Sequence, residues 1–303
     1  MQAGIVGLGR MGAGMARRLA RAGVQVVCHD HAEDRGKALA GERNVHCAEN
    51  LAALCARLDG ERIILLMLPA GAAVEDAIRD LLPLVSAGDT LVDGGNSYYR
   101  DSMRRALTLS QQGLRYIDAG VSGGIHGLEH GYCLMLGGTP KTIEIFEPCA
   151  RILAPAPEAG WLHCGPSGAG HFAKMVHNGI EYGMMQALAE GFALLAARRD
   201  LDIDPARLAE TWRHGSVVRS WLLDLCAAIL KDNESLEGVA PVIDDSGAGR
   251  WTATEAIELG VPAPVITTAL LARFSSQGRS DHARKLIALM RAGFGGHAVH
   301  RKE

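Results

Sequence analysis

The segment AGIVGLGRMG, residues 3–12, decides the fold of the first half of this chain. The apolar run 3–6 predicts a β-strand, and the glycine-rich turn after it opens a helical run over 11–22. In such a unit the first glycine permits a tight turn, the second lets a pyrophosphate approach the backbone, and the third lets helix and strand pack closely. The segment therefore predicts a dinucleotide-binding turn formed by Gly7, Leu8, Gly9, Arg10, Met11 and Gly12.

Short β-type runs and helical runs alternate through the rest of the first half. The other strand candidates are 24–28, 62–68, 90–92, 115–117 and 133–136, and helical runs such as 31–40 and 72–81 lie between most of them. Such alternation predicts parallel strands joined by crossover helices. We therefore expect an α/β Rossmann-type N-terminal domain.

The second half differs because β-branched runs disappear and long helical periodicity begins. The helix candidates are 171–198, 205–213, 220–230, 251–259, 264–277 and 281–291. The turn residues Gly165-Pro166-Ser167-Gly168 mark the expected boundary. We expect a dinucleotide-binding domain over 1–164 and an all-α C-terminal domain over 165–303, which has a long central helix and serves substrate binding and dimerisation.

Asp30 closes the second predicted strand, about 20 residues after the glycine turn. A carboxylate there accepts hydrogen bonds from ribose hydroxyls and repels a 2′-phosphate, which favours NAD over NADP. In the alternative interpretation Asp30 only caps the helix that begins near His31, and Arg35 could soften the preference for NAD. Met67, near the end of the 62–68 run, and Asn96 complete the predicted cofactor-binding residues.

The composition limits the classes of partner. The chain has 303 residues, 48% of them apolar, a formal charge of -3 and no dense Lys/Arg block, which favours a small ligand over nucleic acid or a membrane surface. Its seven cysteines are scattered, without CxxC, as in reduced cytoplasmic proteins. The first residues do not resemble a signal peptide, so we expect a cytoplasmic protein. The twelve histidines include no HExxH, and we expect no metal site.

A polar stripe marks the longest predicted helix. Five polar residues at positions i, i+3, i+4, i+7 and i+8 share one helix face: Lys174, His177, Asn178, Glu181 and Tyr182. Apolar residues flank the stripe, so we expect a helix buried on most sides whose polar face lines a cavity; the alternative is a solvated face. Gly179 weakens the helix by about 1 kcal/mol relative to alanine, and we expect a ligand or a backbone to approach it closely.

The stripe has the spacing needed for acid–base chemistry. Lys174 and Glu181 lie two turns apart, roughly 10 Å along the axis, so they can reach different carbons of one small acid. A desolvated lysine can accept a proton near neutral pH, and a protonated glutamate can deliver one elsewhere. Two loops that follow predicted strands, 93–97 with Asn96 and 121–124 with Ser122, add hydrogen-bonding groups. Ligands bind at such strand ends, although plain glycine-rich turns are the alternative.

The motifs GLGRMG, DGGNS, GVSGG, GAGHFAKMVHNGIEYG and the tail RAGFGGH follow one another in a familiar order. The chain resembles the decarboxylating 6-phosphogluconate dehydrogenases in their short form, within the β-hydroxyacid dehydrogenase superfamily. The resemblance implies oxidative decarboxylation of 6-phospho-D-gluconate to D-ribulose 5-phosphate and CO2 with reduction of NAD. It also implies a place in the pentose phosphate pathway and gluconate utilization.

The resemblance further implies residue roles. Lys174 would take the proton from the C3 hydroxyl while hydride passes to the nicotinamide, and it would later protonate the enol oxygen. Glu181 would supply a proton to C1 of the product as the enediol becomes ribulose 5-phosphate. The implied substrate-binding residues are Asn96, Ser122, Gly123, Gly124, His177, Asn178, Tyr182, Arg273, Arg291 and His297. Tyr182 and Arg273 would hold the phosphate, and the last two residues would come from a neighbouring subunit of a homodimer or homotetramer.

The chain departs from the family pattern in three places. Tyr98 follows the DGGNS motif where the long enzymes have a glutamate. Ser246 and Ala248 stand where the family has a phosphate-binding lysine and threonine, and we expect Arg250 to compensate. The second half of the long enzymes' helical domain is missing, so the dimer interface is expected to differ.

Two other functions stay open at this point. A dehydrogenase of the 3-hydroxyisobutyrate type would act on a smaller acid without phosphate, and it would need neither Arg273 nor the basic tail. A catalytically silent NAD-binding regulator would need only the first domain. Turnover of each acid, together with the effect of removing Lys174, distinguishes these functions from the 6-phosphogluconate reaction.

Overall fold

The computed structural model describes residues 1–233, 235–295 and 298–300. The chain forms two compact units, Met1–Val176 and His177–Glu303. The first unit mixes strands and helices, and the second is helical. No helix within the described ranges combines the length and the apolarity needed to cross a bilayer.

The first unit is built on an eight-stranded sheet with the order β3-β2-β1-β4-β5-β6-β7-β8. Its strands are β1 (Gln2–Val6), β2 (Gln25–His29), β3 (Val45–Cys47), β4 (Ile63–Leu66), β5 (Thr90–Asp93), β6 (Arg115–Ser122), β7 (Cys133–Gly137) and β8 (Trp161–Gly165). Its helices are α1 (Arg10–Arg21), α2 (Glu33–Lys37), α3 (Leu51–Ala56), α4 (Ala72–Leu81), α5 (Tyr99–Ser110), α6 (Gly127–His130) and α7 (Pro140–Leu153).

The predicted Rossmann-type fold is confirmed, and the sequence missed two strands. Both β3 and β8 lie at edges of the sheet, where a strand needs less apolar sequence than a central one. The strand predicted over 115–117 continues to Ser122. The expectation of parallel strands is wrong for one pair, because β6 and β7 run antiparallel.

The sheet is buried on both faces. In β4, Ile63 and Leu65 belong to one core cluster, and Ile64 and Leu66 belong to the other. Side chains of a strand alternate between the two faces, so a strand covered on both sides is a continuous apolar run. Burying each of these side chains contributes about 1.5–3 kcal/mol, which holds the strand ends in fixed positions.

In the second half, the described residues form helices and no strands, as predicted. After the long helix α8 (Ala169–Ala197) come α9 (Pro205–Trp212), α10 (Trp221–Asp232), α11 (Ala248–Glu258), α12 (Pro264–Ser276) and α13 (Asp281–Gly295). Side chains of Asp204 and Ser220 cap α9 and α10 by accepting hydrogen bonds from main-chain N–H groups. Phe192 and Leu223 belong to the small core of this unit.

Two expectations about the long helix are wrong. Its middle is not buried on most sides in the single chain, because Ile180, Met184 and Met185 are 51%, 42% and 40% exposed. Gly179 does not make room for a ligand or a backbone. A Cβ atom on Gly179 would lie 2.8 Å from Cγ2 of Thr252, so the glycine makes room for that side chain of α11.

Candidate active site

A cleft of about 800 Å³ opens in the first unit where β1, β2, β4 and β5 end. Eight of the predicted cofactor-binding residues line it: Gly7, Gly9, Arg10, Met11, Gly12, Asp30, Met67 and Asn96. Leu8 is buried behind the turn, at 3% exposure, and contributes its main-chain N–H. Residues that are far apart in the sequence, from Gly7 to Asn96, therefore lie together in this cleft.

Each glycine of the turn has its own steric reason. Gly7 has a φ of 94°, and a Cβ there would lie 2.4 Å from the carbonyl oxygen of Met67. A Cβ on Gly12 would lie 2.0 Å from the carbonyl oxygen of Gly7, so only glycine lets α1 approach β1 this closely. A Cβ on Gly9 would meet nothing within 4 Å, which leaves open space at the start of α1 for a phosphate.

Asp30 joins the end of β2 to the glycine turn. Its Oδ2 accepts a hydrogen bond from the N–H of Leu8 at 2.6 Å, and its Oδ1 accepts one from the N–H of Ala32 at 2.8 Å. Arg35 pairs with the same carboxylate at 3.2 Å. Burial opposes ionisation, but these three donors outweigh it and hold the pKa of Asp30 below its usual value. Ala32 is the N-cap of α2, so Asp30 does not cap that helix.

Asn96 links the loop after β5 to the end of β6. Its Oδ1 accepts a hydrogen bond from the N–H of Val121 at 2.9 Å, and its Nδ2 donates one to the carbonyl oxygen of Val121 at 3.2 Å. A side-chain amide has two N–H donors and two acceptor lone pairs, so Asn96 can serve a ligand as well. Nearby, Ser122 ends β6, and Gly123 and Gly124 turn the chain with positive φ angles.

A buried carboxylate, Asp93, holds the loop after β5 in place. Asp93 is fully buried, and its Oδ2 accepts hydrogen bonds from Ser97, Tyr116 and Arg105 at 2.9, 3.0 and 2.8 Å. Arg105 is only 2% exposed, so the ion pair lies inside the unit. Burial raises the pKa of Tyr116 well above its usual value, and the charge of Asp93 adds to this, so the phenol stays a donor. The network holds Asn96 in its left-handed conformation, with a φ of 51°.

Lys174 lies on α8 and is only 6% exposed. Strand β6 passes close to it, because a Cβ on Gly120 would lie 2.5 Å from the Cβ of Lys174 and 2.7 Å from the carbonyl oxygen of Gly170. The lysine therefore occupies space that any larger residue at position 120 would fill. Burying a lysine costs free energy, which makes its placement here a mark of a functional site.

The start of α8 is fixed to the same strand by Asp118. Its carboxylate accepts hydrogen bonds from the N–H groups of Gly168 and His171 at 2.6 and 2.9 Å. A negative charge at this end of a helix is favourable because it meets the positive end of the helix dipole. His171 contacts Ser102 at 2.7 Å through its ring. These buried contacts set the position of the helix turn that carries Lys174.

In the second unit, the other stripe residues contact one another. His177 Nδ1 lies 3.2 Å from Asn178 Oδ1 and 3.8 Å from Glu181 Oε2. The side chains of His177 and Glu181 are 40% and 38% exposed, so both are accessible to a ligand. The stripe is thus a group of interacting polar side chains rather than separate solvated ones.

The predicted phosphate-binding residues form a cluster in the second unit. The hydroxyl of Tyr182 lies 3.0 Å from that of Ser246, and the guanidinium of Arg273 lies 3.5 Å from the centre of the Tyr182 ring. Arg273 is 9% exposed and donates to the carbonyl oxygen of Asp244 at 3.0 Å. We call Tyr182, Ser246 and Arg273 the hydroxyl–arginine cluster.

Two other predicted substrate residues, Arg250 and Arg291, lie outside this cluster. Arg250 is paired with Asp245 and lies 5.3 Å from the centre of the Phe274 ring. Arg291 is exposed on α13. His297 lies outside the described residues.

The cleft also contains residues that the sequence analysis did not name. Leu68, Pro69 and Ile125 line it together with the predicted set. For Leu68 and Pro69 a signal was available, because they lie at the carboxyl end of the parallel strand predicted over 62–68. Ile125 follows two glycines of a short turn and carries no such signal.

These features define the class of protein. A glycine turn after β1, a carboxylate after β2 and a cleft at the strand ends are the parts of a Rossmann-type dinucleotide-dependent dehydrogenase.

Comparison with known proteins gives the family. Residues 2–160 match the NAD binding domain of 6-phosphogluconate dehydrogenase, and residues 170–302 match the C-terminal domain of 6-phosphogluconate dehydrogenase. A Haloferax volcanii protein named 6-phosphogluconate dehydrogenase, NAD(+)-dependent, decarboxylating, is 42% identical over 304 residues and covers 100% of both chains. The chain belongs to the 6-phosphogluconate dehydrogenase family.

Solved structures agree with this. A Plasmodium falciparum 6-phosphogluconate dehydrogenase matches with a TM-score of 0.84 and 26% identity, over 100% of this chain and 67% of that one. A Mycobacterium tuberculosis 3-hydroxyisobutyrate dehydrogenase matches with a TM-score of 0.72 and 22% identity, over 92% of this chain and 94% of that one. The second match shows a shared fold. The recognition of a short family member from its motifs is thus confirmed.

Proposed function

We propose that this protein oxidises and decarboxylates 6-phospho-D-gluconate to D-ribulose 5-phosphate and CO2 with reduction of NAD. The observation that carries the proposal is the buried Lys174, held against Gly120 of β6. The same strand is joined through Val121 to Asn96, which lines the dinucleotide cleft. Lys174, a potential base, is therefore held against β6, and β6 is hydrogen-bonded to the loop that lines the cofactor cleft.

The cofactor in this proposal is NAD. The glycine turn leaves room for a pyrophosphate at Gly9, and the ionised Asp30 stands where the ribose hydroxyls of the adenosine would lie. A 2′-phosphate would meet this negative charge, and the charge of Arg35 is already paired with it. When bound, NAD accepts the hydride from C3 of the substrate.

The chain's own residues move the protons. Lys174 removes the proton from the C3 hydroxyl as C3 is oxidised, and the resulting ketone accepts the electrons that CO2 leaves behind. Lys174, now protonated, returns its proton to the enol oxygen. Glu181, two helical turns further along α8, delivers a proton to the carbon that becomes C1 of ribulose 5-phosphate, while Lys174 takes back the enol proton so that the ketone forms.

The hydroxyl–arginine cluster is proposed to hold the substrate phosphate. Tyr182 and Ser246 offer hydroxyl donors, and Arg273 offers a planar fork of N–H groups that suits a phosphate. Helix α11 begins just after Gly247, next to Ser246, and its N-terminal dipole favours an anion. Ser246 thus supplies a neutral donor where the family has a lysine. A phosphate-binding role of Arg250 stays a prediction.

The domain roles and the assembly are also proposals. Residues 1–164 would bind the cofactor, and residues 165–303 would bind substrate and form a homodimer or homotetramer. The exposed apolar side chains of α8 support assembly, because apolar surface of this kind is typical of subunit contacts. Arg291 and His297 would then reach a neighbouring subunit's site. A cytoplasmic location and a role in the pentose phosphate pathway and gluconate utilization belong to the same proposal.

The test is NADH formation with 6-phosphogluconate and with 3-hydroxyisobutyrate. The parent should turn over only the phosphorylated acid, and Lys174→Ala should lower kcat by about 10²–10⁴-fold while NAD still binds. Lys141→Ala, at an exposed position, is the matched control and should behave as the parent. Turnover of only the small acid would show the related dehydrogenase. NAD binding without turnover of either acid would show a silent regulator.

A further inference from the structure

Two cysteines face each other at the edge of the sheet, outside the residues assigned to the reaction. Cys28 of β2 and Cys47 of β3 are partners in the parallel pairing, and their Sγ atoms lie 3.1 Å apart. Neighbouring strands are about 4.8 Å apart, which lies within the range of Cα separations that a disulfide spans. The two side chains point toward each other, so a bond between them needs no rearrangement of the fold.

We propose that Cys28 and Cys47 form a reversible disulfide when a peroxide oxidises them, and that this disulfide weakens NAD binding. The bond requires the sulfur atoms to approach from 3.1 Å to about 2.05 Å, a movement of about 1 Å. Strand β3 can make this movement because it has three residues and lies at the sheet edge, with β2 as its neighbour.

The cleft is coupled to this pair by short connections. Cys28 lies two residues before Asp30, and His29 between them lines the cleft and contacts the carbonyl oxygen of Ala48 at 3.0 Å. The thiol of Cys47 donates a hydrogen bond to the carbonyl oxygen of Gly36 at 3.2 Å. Gly36 is the residue that directly follows Arg35 in the chain. Oxidation removes that thiol donor and draws β3 toward β2. Both changes act on the segment that carries Asp30 and Arg35, at the adenosine end of the cleft.

The two thiols differ in accessibility, which determines which of them reacts with the peroxide first. Cys28 is buried, and burial together with the neighbouring Cys47 raises the pKa of its thiol, whereas Cys47 is exposed. The thiolate of Cys47 attacks a peroxide oxygen, the O–O bond breaks, and a sulfenic acid and hydroxide form. The sulfur of Cys28 then attacks Sγ of Cys47, and the S–O bond breaks. The departing hydroxide takes the Cys28 proton, and the hydroxide from the first step takes the proton that the Cys47 thiol had released, so two thiols and one hydrogen peroxide yield one disulfide and two waters.

The first part of the test is to identify the bond in the full chain after treatment with hydrogen peroxide. After trypsin digestion, peptide 22–35 carries Cys28, and peptide 44–57 carries Cys47 together with Cys55. We expect these two peptides to be linked, with loss of two hydrogen atoms, and to separate again after a dithiol is added. Fragment masses should place the bond at Cys47, and it should survive in Cys55→Ser. Absence of a linked peptide, or linkage through Cys55, would overturn the proposal.

The second part measures NAD binding by titration without substrate, so its result does not depend on the proposed reaction. We expect oxidation to raise the Kd for NAD by about tenfold, since a displacement near 1 Å disturbs close contacts, and a dithiol should reverse it. Cys47→Ser should lose this response, while Cys133→Ser, with another exposed thiol removed, should keep it. An unchanged Kd in the linked protein, or an equal response in Cys47→Ser, would disprove the coupling.

Discussion

Replacing Gly120 with alanine tests whether the position of Lys174 matters for the chemistry. The new Cβ would lie 2.5 Å from the Cβ of Lys174, and ordinary contacts begin near 3.4 Å, so the atoms must separate by about 0.9 Å. The carbonyl oxygen of Gly170, at 2.7 Å, prevents a simple side-chain adjustment, because it belongs to the helix backbone. We expect this overpacking to cost about 1–3 kcal/mol of folding free energy.

The catalytic effect should be larger than the effect on folding. A displacement near 1 Å of a group that must meet a reacting atom can lower kcat by about 10²-fold. The assay is the initial rate of NADH formation, with the Kd for NAD and a urea unfolding curve measured on the same samples. Gly191→Ala is the control, because a Cβ there would meet nothing within 4 Å. A folded Gly120→Ala variant with kcat within about threefold of the parent would refute the role given to Lys174's position.

Three further substitutions test other parts of the structure. Asp30→Ser should lower the ratio of kcat/KM for NAD over NADP by about tenfold or more, since the charge that repels a 2′-phosphate is gone; an unchanged ratio would contradict this. Arg105→Met should lower the free energy of unfolding, measured in urea, by about 3–5 kcal/mol, because Asp93 would stay buried without its cation. A loss below about 1 kcal/mol would show that the other hydrogen-bond donors to Asp93 are enough to stabilise its buried carboxylate. Gly179→Ala should destabilise the protein by about 1–3 kcal/mol, and adding Thr252→Ala should recover most of it. An equal loss of stability in Gly179→Ala and in the double variant would rule out a contact between position 179 and Thr252.

The dinucleotide turn could be predicted from the sequence because its requirements are local. Gly7, Gly9 and Gly12 lie within six residues, and both the positive φ of Gly7 and the close approach of Gly12 to the carbonyl oxygen of Gly7 arise inside that stretch. Asp30 was predictable for a related reason, since the length of one helix and one strand fixes its distance from the turn. The helices of the second half followed from periodicity and from capping residues such as Asp204.

Features that depend on contacts between distant segments could not be predicted. The Asp93–Arg105 pair needs β5 beside β6 and α5 packed across them, and no local pattern contains that information. The Cys28–Cys47 contact depends on the register of β3, a strand of three residues that is too short to show a pattern in the sequence. Gly179 was misjudged for the same reason, because the side chain that fills the space belongs to another helix.

The charges at the hydroxyl–arginine cluster give a physical reason for the proposed tail contribution. A phosphate monoester carries about -1.5 to -2 charges at neutral pH, while Tyr182 and Ser246 are neutral donors. Near this cluster, Arg250 and Arg279 both act on the carboxylate of Asp245, and Arg273 lies on the Tyr182 ring. One unshared guanidinium does not balance such a phosphate, which is the reason for proposing that Arg291 of a neighbouring subunit supplies a second cation. Substrate binding and subunit assembly would then depend on each other.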